Sequence, residues 1–448
     1  MSVSTFLGIQ TSLRGLLAQQ RALDTTGHNI SNANTEGYSR QQAVLSPTTA
    51  LSLPMSGGAG QLGTGVDVQA FSRVRDQFLD LQYRGQAMSL GDQTARSDSL
   101  EQVELSLAEP GKNGISAALG RFWNAWADLS NAPESPAARQ ALVDESKTLA
   151  DSINSLQTAL AGARTQAKAE FDALAGAGGQ VHGVAADLAA TVNAIRDAEL
   201  TGAQPNDLYD RRDLLLDHLS GMGQLSVADS PAGGVDISLG GVKIVDADDT
   251  TGRASVPAGA FPMTFATSPG GRLGALDDLQ SATGPIAAFQ LDLNATAQSL
   301  HDSVNGIYAA TGTNFFTYAM GAGGTPVLAL NEPAINVATL RGGTGGPGDN
   351  ALALSMARLR GGDADARYAQ LVTRIGNAVA QAERQQATAQ VLTDNLKDRR
   401  DSVSGVSVDE EMTNLIRFQR AFQASARAMS TTDEMIDTLI NRTGRVGL

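Results

Sequence analysis

The chain has 448 residues, 42% hydrophobic and only 4% aromatic, which is enough apolar mass for about two to four packed domains and better suited to long small-residue helices than to a large enzyme core. A formal net charge of −14 and a pI near 4.7 argue against nucleic acid and anionic membrane as partners, because both recruit basic patches. The absence of cysteine removes disulfides, thiolate chemistry and most structural zinc sites.

The first thirty residues space their apolar side chains three and four apart, at Phe6, Ile9, Leu13, Leu16, Leu23 and Ile30, with Gln20 and Gly27 as interruptions. This heptad pattern predicts a helix with one narrow seam, of the kind another helix covers. It lacks the basic n-region and unbroken apolar run of a cleavable secretory signal. Nowhere do about eighteen consecutive apolar residues occur, so no membrane-spanning helix is expected. The Asn, Ser and Gly cluster from Asn29 to Arg40 stops the helix. Residues 41–63 read as an extended connector, and Gly65 to Phe71 alternates like a short strand.

A long helix is expected from Ser72 to about Leu107, weakened at Gly85 and Gly91, and a second at Ile115 to Leu129 with Phe122, Trp123 and Trp126. Ser135-Pro136 is an N-cap followed by proline at the first helical position, opening a seam through Leu142, Leu149, Ile153, Leu156 and Leu160 that continues, with Gly-rich interruptions, to about Leu200. Pro205 to Met222 is a short helix dense in charge. Val235, Ile237 and Leu239, then Gly240-Gly241, then Val242, Ile244 and Val245 give a β-hairpin signal. Helical spacing returns at Pro285 to Ala310 and Tyr368 to Arg400, separated by the Gly-rich and irregular stretch 311–365.

The last helix repeats the opening pattern every seven residues, at Val408, Leu415, Phe422, Met429 and Ile436, with Met412 and Ile440 on a neighbouring row that Gln419 and Asp433 interrupt. The fold expected is mainly α with a small β insertion: an elongated helical bundle built from both chain halves, with terminal coiled-coil helices. Residues 1–40 plus 404–448 form the terminal unit, 41–222 plus 271–403 the bundle, and 223–270 a small β domain. Burying one Leu or Phe contributes roughly 1.5 to 3 kcal/mol, while ordering a residue costs roughly 1.5 kcal/mol. Two such helices nearly break even, so the ends are expected to be mobile in the monomer and to order when identical neighbours cover their remaining faces.

A search for chemistry finds little. Gly58-Ala-Gly60-Gln-Leu-Gly63 matches a dinucleotide string but lies in loop followed by strand, where a cofactor site needs strand followed by helix. His28, His182, His218 and His301 have no His or Cys at ligand spacing. Asp207, Asp210, Asp213 and Asp217 with Arg211 and Arg212 read as a salt-bridge network, since the arginines neutralise the charge that a cation needs. Asp246, Asp248 and Asp249 lack calcium-loop spacing. No catalytic residue, cofactor site or metal site is expected.

Asn29-Ile-Ser-Asn-Ala-Asn-Thr-Glu-Gly-Tyr-Ser-Arg resembles the signature shared by bacterial flagellar rod, hook and hook-associated axial proteins, with Asn29, Asn32, Asn34, Gly37 and Tyr38 as its marked positions. Ser404 to Arg427, closing with Ile436-Asp-Thr-Leu-Ile440, resembles their paired C-terminal segment. Three internal stretches, beginning at Pro136, Pro205 and Tyr368, are similar to the hook-associated protein 1 family of the hook–filament junction. The resemblance implies a non-enzymatic, extracellular ring subunit, exported through the flagellar type III apparatus and placed between the hook protein and a second junction protein. It implies that the two seams are assembly residues, that an export chaperone binds at Val408 to Arg442, and that a larger outer β domain is absent or vestigial at 311–365. Another axial subunit, of hook or distal rod, is the alternative within the family, and a secreted peptidoglycan-acting enzyme the disfavoured one outside it.

Overall fold

A computed structural model describes residues 6–55, 58–321 and 325–442. The chain opens with α1 (Leu7–Ser31), then folds back and forth as β1 (Gln41–Pro47), β2 (Leu51–Met55), β3 (Gly58–Leu62) and β4 (Val66–Arg73). β1 pairs antiparallel with β4, and β2 with β3. The expected connector is therefore a two-part ribbon, and the glycine string at Gly58 supplies one of its strands instead of a loop. Glycine there lowers β propensity, but pairing of the backbone outweighs it.

Asp76 caps α2 (Gln77–Leu107) by accepting from the amides of Phe78 and Leu79, which sets its start five residues beyond the expected one. Neither Gly85 nor Gly91 breaks it. Gly91 is instead a crossing point, where a Cβ would stand 1.9 Å from the carbonyl oxygen of Gly221. Next come α3 (Ile115–Asn131), α4 (Pro136–Ala175) and α5 (Gln180–Leu200). The Gly-rich interruption expected before Leu200 falls at residues 176–179, where Gly-Ala-Gly-Gly ends one helix and starts the next. α6 (Asn206–Met222) leads into β5 (Leu225–Asp229), β6 (Val235–Leu239), β7 (Val242–Ala247) and β8 (Ala254–Ser255), a four-stranded antiparallel sheet in that order. Gly240 and Gly241, with φ of 57° and 82°, make the tight turn that the sequence announces.

α7 (Gly271–Gln280) and α8 (Pro285–Tyr308) precede β9 (Phe316–Met320), β10 (Pro326–Leu330) and α9 (Ala351–Ala357). The stretch read as irregular is thus partly ordered, and Phe315, Phe316, Leu328, Ile335, Leu340 and Met356 are almost wholly buried. Asn154 of α4 holds β10 by exchanging two hydrogen bonds with the backbone of Leu328, and Asn193 of α5 does the same with Ala254. Each amide side chain satisfies a strand edge as a neighbouring strand would.

α10 (Asp363–Ser404) returns along α2, so the bundle is built from both halves of the sequence. One buried cluster runs through α2–α10 and includes Ile237, Leu239, Ile244 and Val245 of the sheet. Phe122, Trp123 and Trp126 all lie inside it, with Trp123 Nε1 donating to Asp365 at 3.0 Å. α11 (Val408–Asp437), capped by Ser407 and with Asp409, Glu410 and Glu411 in its first turn, then runs back along α1, outside that cluster. The molecule is 64% helical, mainly α with small sheets.

Candidate functional site

α1 and α11 form an antiparallel pair in constant register. A Cβ on Gly8 would stand 3.0 Å from Thr432 Cγ2, and one on Gly15 would stand 3.2 Å from Ser425 Oγ. Twenty-one positions beyond Gly8, Asn29 bonds Glu411, twenty-one positions before Thr432. Small residues therefore recur every seven on the inner face of α1, where Ala18 and Ala22 are 2% and 1% exposed, and they let the helices approach closely. The facing row of α11 alternates steps of four and three through Glu411, Leu415, Phe418, Phe422, Ser425, Met429, Thr432 and Ile436, each buried or half-buried.

This geometry redistributes the seams read from the sequence. On the C-terminal side, Leu415, Phe422 and Met429 are half-buried and Ile436 buried, while Val408, Met412 and Ile440, the last in a π-helical turn at Thr438–Arg442 beyond α11, are exposed; the second inner row is Glu411, Phe418, Ser425 and Thr432, not the row of Met412 and Ile440. On the N-terminal side none of the six is buried: Ile9, Leu16, Leu23 and Ile30 are half-buried, and Phe6 and Leu13 are 53% and 40% exposed. The inner contact of α1 is made by glycine, alanine and asparagine, which a search for large apolar residues passes over. Leu17, Ile416, Met435 and Leu439 join the exposed set. Scattered apolar residues on a surface are ordinary, but these are concentrated on the two terminal helical segments.

At its inner end the pair meets the bundle through polar contacts. The Asn29 carboxamide uses all its capacity: its Nδ2 donates to the Gln41 carbonyl at 2.9 Å and to Glu411 Oε2 at 3.0 Å, and its Oδ1 accepts from the Tyr38 hydroxyl at 2.7 Å and from the Gln41 amide at 2.9 Å. Asn32 closes α1, its Nδ2 donating to the His28 carbonyl and its Oδ1 accepting from Thr35. Gly37 takes φ of 77°, and a Cβ there would meet Leu214 at 3.0 Å. Asn34 is exposed on the rim of a cleft of about 750 Å³ that opens between residues 33–40 and 397–407. Burial, and then the nearby Asp207, Asp210 and Glu411, push the Tyr38 hydroxyl far above its usual range, so it stays a donor. Four of the five signature residues thus shape one joint.

Arg40 completes it. Its guanidinium bonds Glu410 and the buried Glu411, each at 2.9 Å, and its amide donates to the Ser404 carbonyl, where α10 ends. The Ser39 amide donates to Asp210, which opens a second network. Asp210 and Asp213 share Arg73, each at 2.9 Å; Arg75 grips Asp80 at 2.6 Å; Arg84 and Arg400 both hold Asp217. The carboxylates are only 7–8% exposed. Burial works against the charged form of Asp213, but Arg212, Arg75 and Arg73 outweigh it and hold the carboxyl below its usual range. Of the expected set, Asp210, Asp213, Asp217 and Arg212 lie in this network, while Asp207 is exposed; Asp80 and the arginines of β4, α2, α10 and the residues between β4 and α2 were not expected. Arg211, expected among them, is exposed instead.

Among the described residues no group of His, Cys, Asp or Glu could hold a metal ion, and no helix is long and apolar enough to cross a membrane. What the site offers is a helix pair with exposed apolar residues, joined to a packed bundle by polar contacts.

Comparison with known proteins follows this division. Residues 9–38 match the model of the flagella basal body rod protein family, and residues 400–442 match the C-terminal model of the flagellar basal body rod FlgEFG proteins. Both ends therefore define a flagellar axial protein. Residues 100–316 match the helical domain of flagellar hook-associated protein FlgK. Flagellar hook-associated protein 1 of Bacillus subtilis is 30% identical across 98% of this chain and 99% of its own, and that of Escherichia coli is 24% identical across 97% and 99%. The chain belongs to the flagellar hook-associated protein 1 family. These alignments extend over 506 and 551 positions, so both relatives carry residues that this chain lacks. A solved flagellar hook junction protein from Burkholderia pseudomallei, 20% identical, superposes with a TM-score of 0.45 over 54% of this chain and 47% of its own.

Proposed function

We propose that this chain is a structural, non-enzymatic subunit of the hook–filament junction, lying outside the cell, exported through the flagellar type III apparatus and polymerising through α1 and α11. The observation that carries the reading is the exposure of Leu13, Val408, Met412, Ile416 and Met435 on a helix pair that stands outside the buried cluster, and of Phe6 and Ile440 just beyond its ends. Those side chains are buried when identical neighbours stack, while Ile9, Leu16, Leu23, Ile30, Leu415, Phe422, Met429 and Ile436 hold the pair together or flank it. Residues 1–40 plus 404–448 act as the assembly unit, and Asn29, Asn32, Asn34, Gly37 and Tyr38 fix its angle to the body. The hook protein and a second junction protein cap the ring on either side, and an export chaperone takes the α11 segment before assembly. A larger outer β domain is absent or vestigial at 311–365, where the described residues form the two-stranded sheet of β9 and β10.

Leu13→Asp combined with Ile416→Asp tests this, because both side chains point outward. The variant is expected to melt as the parent does and to be absent from isolated hook–filament junctions. Normal incorporation of the variant removes the proposal. Leu415 and Phe422 are unsuitable for this purpose, since their half-buried places on the inner row mean that charge there opens the pair itself.

A further inference from the structure

The outward face of α11 carries charge in blocks. Asp409 and Glu410 stand at its start, Arg417, Arg420 and Arg427 in the middle, and Asp433, Glu434 and Asp437 at its end, all exposed. Glu410 is held by Arg40, and Arg417 lies over the Phe418 ring with 4.8 Å between guanidinium and centroid. Arg420, Arg427, Asp433 and Glu434 have no ionic partner among the described residues. The terminal unit as a whole is neutral, with eight basic and eight acidic residues in 1–40 and 404–448, so the pattern is one of position and not of excess.

We infer that neighbouring copies pack α11 against α11 in parallel, displaced along the helix by about fourteen residues, and that this charge pattern sets the displacement. The inference rests on the proposed polymerisation through the terminal helices. In-register copies put each block against itself, and repulsion between like charges opposes that arrangement. A shift of one heptad sets Arg420 beside Arg427, which is no better. Two heptads keep the same helix face toward the neighbour. They set Arg420 opposite Glu434, and bring Arg427 of the displaced copy within a turn of Asp409 and Glu410. At about 1.5 Å per residue the displacement is about 21 Å. Exposed ion pairs add little affinity, so they select the register of a contact that the apolar residues drive.

The absence of cysteine makes this directly testable. Ala424 and Thr438 are neutral, exposed and fourteen positions apart. Within one copy they are about 21 Å apart, far beyond the Cα separation of about 4.4–6.8 Å that a disulfide spans. Full-length protein carrying Ala424→Cys and Thr438→Cys, oxidised at a concentration where light scattering shows oligomers, is expected to give a ladder of covalent species longer than dimers. Either single variant is expected to give none. Arg420→Glu is expected to weaken the ladder at least roughly tenfold, and adding Glu434→Arg to restore it. Dimers from Ala424→Cys alone show in-register packing and overturn the inference; a double variant that stops at dimers shows antiparallel packing and also overturns it. Oligomers without any ladder overturn the displacement and leave polymerisation standing. No oligomers at all overturn both.

Discussion

Asn29 donates a hydrogen bond to the Glu411 carboxylate at 3.0 Å, across 382 positions of sequence. α1 and α11 are thereby fixed to each other and, through Gln41 and Arg40, to the bundle between them. A neutral amide suits the place, because it can donate to one backbone carbonyl and one buried carboxylate while accepting from an amide and a phenol.

Asn29→Ala is therefore expected to cost more than an ordinary surface change. Each hydrogen bond contributes about 1 kcal/mol, and a stranded buried partner adds to the cost, so a loss of about 3 kcal/mol is expected where the pair meets the bundle. Hydrogen exchange at the Gln41 amide and along residues 408–418 reads it. Asn29→Asp is expected to do worse above the carboxylate range, where it faces Glu411 with a like charge, and to recover when the pH is lowered.

Close approach of the helices makes a separate prediction. Gly15→Leu places a side chain where a Cβ already stands 3.2 Å from Ser425 Oγ, and overpacking of this kind costs about 1–3 kcal/mol. Amide protection along 411–436 is expected to fall about tenfold or more, one decade for each 1.4 kcal/mol. Leu13→Ser, two residues away but on the exposed face, is expected to leave that protection unchanged.

The difference between those two positions shows what the sequence revealed and what it hid. Heptad spacing located both terminal helices, and Gly240-Gly241 located the hairpin, because each follows from local chain geometry. The inner face of α1 was hidden because Gly8, Gly15, Ala18 and Ala22 carry no large apolar side chain, although Gly8, Gly15 and Ala22 recur every seven residues. The partners of Asp210, Asp213 and Asp217 were hidden for another reason: Arg73, Arg75, Arg84 and Arg400 reach them only after tertiary packing. Phe315, Phe316 and Met356 sat in a stretch whose glycines masked a contribution to the core.

The buried network gives a pH dependence of defined sign. The Asp213 carboxyl is held below its usual range in the folded chain, so the stability it contributes is present above the ordinary carboxylate pKa of about 3.9 and is lost as the pH falls through the lower folded value. Melting temperature is expected to fall steeply below about pH 4. Asp213→Asn is expected to melt lower than the parent at neutral pH, with the gap closing in acid. A gap independent of pH assigns Asp213 a packing role only.

Charge also separates the two parts of the molecule. With eight residues of each sign in the terminal unit, the whole net charge of −14 falls on residues 41–403. Stacked copies bring those acidic bodies side by side, while the apolar contacts between terminal helices are indifferent to salt. Raising ionic strength from about 10 mM to about 150 mM shortens the screening length from about 30 Å to about 8 Å, which removes repulsion between bodies but leaves ion pairs in direct contact largely intact. Self-association measured by sedimentation is therefore expected to strengthen over this range. Replacing exposed acidic residues of the body, such as Glu101 and Glu104, by glutamine is expected to flatten the dependence, and Leu13→Asp to abolish association at every salt concentration. Association that weakens steadily as salt is added places the driving force in charge pairs instead of in the exposed apolar residues.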